Sequence, residues 1–418
     1  MITRLEVKGY KAFKYVNLSI ANFNILVGPN ASGKSTLLDI FKLIKDILEG
    51  GPKKAVEERS SRFQELLWQH EGDKFEIAIE FTLPDNLQEK MKNKNIEKAR
   101  YEITINNDAK AGNIIEIENL WLIKRDGGAP IKSNQQLDLF PREPSPPESI
   151  VTTRKKPTGW RKVISKSSKG NDYFRSEITD WNINYRFGPY KSSLARVPED
   201  EERFPVCLWI KERIMEGIQY IQLNSTAMRS ACRPDSPSSF QIDGSNLPKV
   251  VSYLHNQDLK NFIRWQKHIR DALPEIKKIG VQERSEDRYL YIFIHYRNNL
   301  IVPSWLLSDG TLRFLAQTLI AYLPDKGRFY MIEEPENGLH PLAIDSLYQS
   351  LSSLYDNQII LATHSPSILR LAEPKDILCF SKTKSGAVDI VRGDQHPRLK
   401  DWKKDVDIAT LHAAGILQ

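Results

Sequence analysis

Residues Gly28-Pro29-Asn30-Ala31-Ser32-Gly33-Lys34-Ser35 carry the plainest chemistry in this chain: a glycine, four residues, then Gly-Lys-Ser. That spacing is the phosphate-binding loop pattern. The two glycines let the backbone curl until consecutive N–H groups converge as an anion nest. Lys34 adds a cation for β- and γ-phosphates, and the Ser35 hydroxyl is a ligand for Mg2+. Asn30, Gly33, Lys34, Ser35 and Thr36 are therefore the candidate ATP-binding set. A glycine-rich turn with a chance lysine is the bland alternative. It competes poorly, because apolar Phe23–Val27 precedes the loop and a helix-spaced run follows from Thr36.

Three later stretches offer a second half of the same chemistry. Phe329-Tyr330-Met331-Ile332 is a buried-strand run that ends in Glu333-Glu334-Pro335-Glu336-Asn337. Carboxylates at the end of an apolar strand suit Glu333 as a magnesium ligand, direct or through water, and Glu334 as the general base on the attacking water. Gln358–Ala362 is another apolar strand ending in Thr363-His364-Ser365-Pro366; His364, 30 residues after Glu334, suits a γ-phosphate contact that also positions the water. Leu307-Ser308-Asp309-Gly310-Thr311 precedes Leu312, Leu315, Ala316 and Leu319, which places Ser308 at a helix N-cap open to an anion. Taken singly, each is more often an acidic turn, a structural histidine or an ordinary cap. The phosphate loop in the same chain shifts the balance.

The elements that must position these groups follow from patterning. Residues 1–45 read as two strands, the loop and its helix, which Gly50-Gly51-Pro52 ends. Alternation at Phe75–Phe81, Tyr101–Ile105 and Ile115–Ile123 predicts an antiparallel sheet beside the nucleotide core. From 126 to 204 the pattern dissolves among prolines, and Arg154, Lys155, Lys156, Arg161 and Lys162 surround Trp160. Such a segment can grip phosphates and stack a base, or be a solvated insertion; both readings stay open. A helix over 206–217, a strand over 218–223, an amphipathic helix ending at Pro274 and a buried strand over 289–294 follow. There are no repeats or sustained heptads, so long coiled-coil arms are not expected.

Totals bound the rest. Of 418 residues 40% are hydrophobic and 27% charged, ordinary values for a globular protein. No apolar run approaches the roughly 20 residues that span a bilayer, and Met1–Val7 lacks a leader's apolar block. A cytoplasmic protein with no membrane partner is the expectation. Cys207, Cys232 and Cys379 have no paired spacing for a disulfide or zinc site. The net charge of +7 permits nucleic acid without requiring it.

Phosphate loop, Leu-Ser-Asp-Gly, Ile-Glu-Glu-Pro-Glu-Asn with Gly-Leu-His-Pro, and Ala-Thr-His-Ser-Pro, in that order, resemble ABC-type ATPases of the RecF/SMC/OLD branch. Within it the chain is similar to compact AAA15/AAA21-type bacterial ATPases of phage-defence operons, over about 1–125 and 205–418; the tail Asp407–Leu417 resembles that group too. The resemblance implies an α/β fold: a P-loop ABC-type ATPase head with mixed core sheet, antiparallel β lobe and helical signature lobe. It divides the chain into 1–125 (first half of the head), 126–204 (insertion) and 205–418 (helical lobe and second half). It implies a homodimer or higher homo-oligomer closing on ATP and Mg2+. Ser308, Asp309 and Gly310 of one subunit would clamp the γ-phosphate held by Lys34 and Ser35 of the other. Asn337 to His340 match the D-loop. Asp309 stands where transporters favour glycine, Glu333 where aspartate is commoner, and Gln64 and Gln69 are both candidates for the magnesium-contacting glutamine. Slow or triggered ATP hydrolysis is the expected activity, coupled to nucleic-acid sensing or processing in phage defence or genome maintenance. The alternative is a nucleotide-gated scaffold that holds and releases a separate toxin or nuclease effector. DNA is the expected further ligand under the first reading.

Overall fold

The computed structural model describes residues 1–91, 95–125, 140–152, 156–399 and 410. Arg154, Lys155 and the family-like tail, Thr410 excepted, lie outside the described residues. Among the described residues the chain forms two compact units, one of Met1–Ile218 with 374–399, the other of Gln219–Glu373 with Thr410.

The first unit is built on β1 (Ile2–Tyr10), β2 (Phe13–Ser19), β3 (Phe23–Val27), α1 (Lys34–Glu57), β4 (Lys74–Thr82), α2 (Asp85–Lys90), β5 (Ile96–Asp108) and β6 (Gly112–Lys124). It continues through β7 (Trp160–Ser167), β8 (Asp172–Arg175), β9 (Asn182–Tyr185) and α3 (Pro205–Glu212). Eight strands make one antiparallel sheet in the order β2-β1-β4-β5-β6-β7-β8-β9. The expected alternation is present: Leu5, Val7, Ile77, Ile79, Tyr101, Ile103 and Leu120 are fully buried. Helix α1 buries Leu37, Ile40, Phe41 and Ile44, a stripe at helical spacing. Gly51, at φ 83°, kinks this helix instead of ending it, and Pro52 begins the continuation to Glu57. A side chain at Gly51 would also meet the Tyr190 carbonyl at 2.6 Å.

The residue pattern dissolves from 126 to 204, yet this segment holds β7, β8 and β9 and extends the sheet by three strands. Strands β8 and β9 have four residues each, too short to show a period beside the prolines. Residues 149–152 cross the sheet as a strap whose order comes from hydrogen bonds to strand side chains. Glu76 accepts from Ile150 N (2.8 Å) and Ser149 Oγ (2.9 Å), and Glu102 accepts from Thr152 N (3.0 Å), Thr152 Oγ1 and Trp121 Nε1 (2.9 Å each). Ile150 and Val151 then pack on Ala78, Tyr15 and Ile117. Arg100, 5% exposed, ties the face together through Glu6, Glu80 and Glu102 and the Ile150 carbonyl.

The chain returns to this unit with β16 (Ile377–Lys382) and β17 (Val388–Arg392); β16 runs parallel to β3 and antiparallel to β17.

The second unit contains β10 (Ile218–Ile221), α4 (Ser225–Arg229), α5 (Leu247–Gln257), α6 (Leu259–Ala272), β11 (Ile276–Glu283), β12 (Leu290–Tyr296) and β13 (Ile301–Pro303). It closes with α7 (Asp309–Ile320), β14 (Phe329–Glu333), α8 (Pro341–Ser352), β15 (Gln358–Ala362) and α9 (Pro366–Leu371). The expected strand after 217 starts at Ile218, and the helix before it is α3 followed by a wider π turn over Arg213–Gly217. Strand β12 is half-buried, with Ile292 and Ile294 inside, because it lies in a three-stranded antiparallel sheet between β11 and β13. Strands β14 and β15 run parallel, Phe329 opposite Gln358 and Glu333 opposite Ala362. Their ends carry the second set of candidate residues.

Candidate nucleotide site

The phosphate loop lies wholly in the first unit. Beyond β3 the backbone takes positive φ at Ala31 (59°) and Gly33 (98°), the curl that turns amides inward. A Cβ on Gly28 would sit 2.5 Å from the Phe380 carbonyl, and one on Gly33 would press on the Phe13 ring at 3.0 Å, so both glycines are sterically required. Lys34 is only 8% exposed, and its ammonium donates to the Gly28 and Pro29 carbonyls at 2.8 and 2.9 Å. Ser32 Oγ is buried with no hydrogen-bond partner. A buried unpaired hydroxyl costs about 1–3 kcal/mol, a cost that an oxygen-rich anion in the loop would offset. Gly33 caps α1 without a side chain, so the first amides of the helix join the nest. Asn30 and Ser35 are exposed at the mouth, and Thr36 is half-buried. These features fit a polyphosphate.

One turn into α1, Asp39 accepts from Tyr10 Oη and Lys11 Nζ at 2.6 Å and from Arg59 Nε at 2.7 Å. Burial opposes its charge, but Arg59, Lys11 and Tyr10 outweigh it and hold the carboxyl below its ordinary range. The cluster fixes the helix behind the loop. No local pattern announces it, since its members are spread from residue 10 to 59.

In the second unit, β14 and β15 deliver their acids, threonine and histidine to adjacent strand ends. Glu333 Oε2 accepts from Tyr220 Oη on β10 at 2.6 Å. Glu334 leaves the strand in the left-handed region, φ 47°, while its N–H donates to the Ala362 carbonyl at 2.7 Å. That backbone costs a glutamate roughly 1–3 kcal/mol, and the side chain it carries is exposed. Asn337 Nδ2 donates to Glu334 Oε2. Thr363 Oγ1 donates to Glu336 Oε1 at 2.6 Å, whereas Glu336 Oε2 is buried without a partner. Glu336 is thus a further acidic candidate; its only sequence signal was its place two residues after Glu334. His364 follows, half-buried. The hydroxyl of Ser35 and the carboxylate of Glu333 are hard oxygen donors of the kind Mg2+ takes.

Ser308 caps α7 as expected, its Oγ accepting from Thr311 N at 3.2 Å. Asp309 forms an ion pair with Arg229, whose Nε and Nη2 also donate to the Leu307 carbonyl at 3.2 and 3.1 Å. An arginine 80 residues upstream therefore holds the signature turn, and no local pattern pointed to it. A Cβ on Gly310 would lie 2.1 Å from the Gly338 carbonyl, so the signature and the D-loop segment touch through two glycines. Asn337 flanks that contact. His340, expected to act with it, serves as the N-cap of α8 and accepts from Leu342 N at 3.3 Å.

The remaining candidates are dispersed. Gln64 is exposed in a 3-10 turn, while Gln69 donates to the Ser385 carbonyl at 3.0 Å. Lys156 is exposed. Arg161 spends its guanidinium on the carbonyls of Ser176, Glu177 and Thr179, and Lys162 lies 4.5 Å over the Trp121 ring. Both side chains are half-buried and engaged by neighbouring groups of the same unit.

Residues 23–370 match the family model described as "AAA domain, putative AbiEii toxin, Type IV TA system". A stretch of 89 residues is 34% identical to the chromosome partition protein Smc of Methanocaldococcus jannaschii, covering 20% of this chain and 7% of that protein. Among solved structures, an SMC head bound to the C-terminal winged-helix domain of ScpA superposes with a TM-score of 0.50 at 15% identity, covering 93% of this chain and 97% of the other. The SMC head from Thermotoga maritima gives 0.40 at 14% identity, over 94% and 98%. The first superposition identifies the fold as that of a P-loop ABC-type ATPase head. Among the described residues no helix is long and apolar enough to cross a membrane.

Proposed function

The chain belongs to this AAA-domain ATPase family, and from that premise we propose that it is a Mg2+-dependent ATPase whose two copies close on ATP. The observation that carries the reading is the phosphate loop, with Ser32 Oγ buried and unpartnered and Lys34 resting on the carbonyls of the loop itself. Lys34 is drawn from those carbonyls to the phosphates, the loop amides and Asn30, Gly33 and Thr36 line their path, and Ser35 and Glu333 hold the magnesium. The ion would neutralise charge building on the phosphate oxygens. Glu334, steadied by Asn337, takes the proton of the attacking water, and His364 orients it. Ser308, Asp309 and Gly310 of the other copy complete the enclosure, with Asn337 and His340 beside the dimer contact. A ligand that bridges two copies binds the closed state preferentially and so turns ATP occupancy into an assembly switch.

We place this switch in nucleic-acid sensing or processing, in phage defence or genome maintenance. A second reading, a nucleotide-gated scaffold for a separate toxin or nuclease, is favoured by the toxin–antitoxin wording of the family description and by the partner bound to the similar SMC head. The deciding experiment measures ATP turnover of the purified protein with and without double-stranded DNA, beside Glu334→Gln. DNA-stimulated turnover that Glu334→Gln abolishes while trapping a dimer supports the first reading. DNA-indifferent turnover with ATP-driven assembly supports the second, and no ATP binding at all sinks both.

A further inference from the structure

Strands β8 and β9 form the far edge of the eight-stranded sheet, and their outward face carries exposed arginine and asparagine around one tyrosine. Tyr173 is 54% exposed at the centre of that face. It stands opposite Ser165 on β7 and Asn184 on β9, and Arg175 two residues along stands opposite Asn182. Alternation keeps Tyr173, Arg175, Asn182 and Asn184 on one side, and Arg186 follows two residues beyond Asn184. All five are exposed.

Charge on this edge is sorted by burial. Between 167 and 191 the basic residues are Lys169, Arg175, Arg186 and Lys191, and each is exposed. Two of the three acids in the same stretch face inward: Asp172 receives Lys166, Ser193 and the Phe187 amide, and Glu177 receives the amides of Val206 and Cys207. Asp180, in the turn between the strands, is the exposed acid. The outward surface therefore presents cations, amides and a tyrosine ring on an antiparallel strand pair. Acidic peptides would use the cations but give the ring and the asparagines no specific partner. Single-stranded nucleic acid uses all three: phosphates on the arginines and lysines, a base stacked on the ring, base edges on the amides.

The geometry points to this face, centred on Tyr173 and Arg175, as a binding site for single-stranded nucleic acid. It places the nucleic-acid contact on β8 and β9 rather than on Arg161 and Lys162 of β7. The inference rests on the nucleic-acid part of the proposed function and is independent of its ATP chemistry.

The test uses the full chain and fluorescein-labelled oligothymidylate and oligouridylate of about 20 nucleotides, longer than one aromatic platform occupies, with anisotropy read across a salt series. Tyr173→Ala is expected to weaken binding about tenfold, Tyr173→Phe to stay within twofold, and Arg175→Gln to flatten the slope of log affinity against log salt by about 0.7. Preference for DNA or RNA would name the ligand within the class. Equal displacement by polyglutamate, tighter binding of duplex, or wild-type affinity in Tyr173→Ala would each overturn the site. ATP binding without nucleic acid, measured on the same preparations, separates the two proposals: its absence counts against the ATP site alone, and its persistence with no oligonucleotide binding counts against this site alone.

Discussion

Strands β14 and β15 and the eight-stranded sheet put their polar groups in opposite places. In β14 and β15 the strand bodies are buried and apolar, and Glu333, Glu334, Thr363 and His364 gather where the strands stop. In the eight-stranded sheet, Glu6, Glu76, Glu102 and Glu118 are buried in mid-strand. There Glu76, Glu102 and Glu118 clasp irregular chain: Glu118 alone accepts from Ser193 N (2.7 Å), Leu194 N (3.0 Å), Ser192 Oγ (2.6 Å) and Tyr101 Oη (2.9 Å). A carboxylate at a strand end is left available for chemistry. A carboxylate in mid-strand is consumed by architecture, because a buried charge must have its hydrogen bonds satisfied.

The sharpest way to break the contrast is to remove one carboxylate of each kind. Glu334→Gln should lower ATP turnover about 10²–10⁴-fold and leave thermal stability near wild type, since the side chain is exposed. Steady-state phosphate release with a melting curve on the same protein checks both halves. A fall in melting temperature matching the fall in turnover would place Glu334 among the structural acids.

Arg100→Ala is the counterpart in the sheet. It removes the cation shared by Glu6, Glu80 and Glu102 and frees the Ile150 carbonyl. Breaking a buried ion cluster from one side costs about 3–5 kcal/mol. Urea unfolding should show that loss, and limited proteolysis should cut first near the 149–152 strap. Turnover per folded molecule should hold.

This difference also decides what could be read from residues alone. The phosphate loop, the acids after Ile332, His364 and the Ser308 cap were legible because apolar runs frame them and their chemistry is local. The straps were not. Ser149–Thr152 and Ser192–Leu194 owe their order to carboxylates that lie 50 to 76 residues away in sequence, and four-residue β8 and β9 show no period. Arg161 and Lys162 looked like a surface patch for the same reason: nothing local announces that Ser176 and Trp121 will receive them. Arg229 behind the signature was hidden likewise by distance in sequence.

Glu177 sharpens the comparison through pH. Burial pushes its carboxyl up to about 7, against the pull of its hydrogen bonds from Cys207 and Val206. The folded chain then holds this proton more tightly than the unfolded chain, for which the ordinary value is 4.5. Stability from this group is complete below about pH 4.5 and is lost as pH rises to about 7, by about 3 kcal/mol at most. Glu177→Gln removes the titration while its carbonyl still receives an amide at the start of α3. Melting temperatures of the two proteins should converge toward acid pH and separate toward pH 8, with the variant the more stable there. Parallel curves would show that Glu177 ionises normally.

The smallest effect falls on His340, where the two kinds of polar residue meet in one position. Its place after Asn337-Gly338-Leu339 suits a contact across the ATP-closed dimer, whereas in the fold its ring caps α8 through a long 3.3 Å bond to Leu342 N. The readings diverge on the replacement chosen. Asparagine is a good N-cap and alanine a poor one. If capping is the whole role, His340→Ala loses about 0.5–1 kcal/mol, His340→Asn loses none, and turnover in both stays within twofold. If the ring also works across the dimer, His340→Asn keeps the stability and still slows turnover or weakens ATP-driven association. The asparagine variant therefore carries the decision, because it holds the helix terminus constant while removing the imidazole.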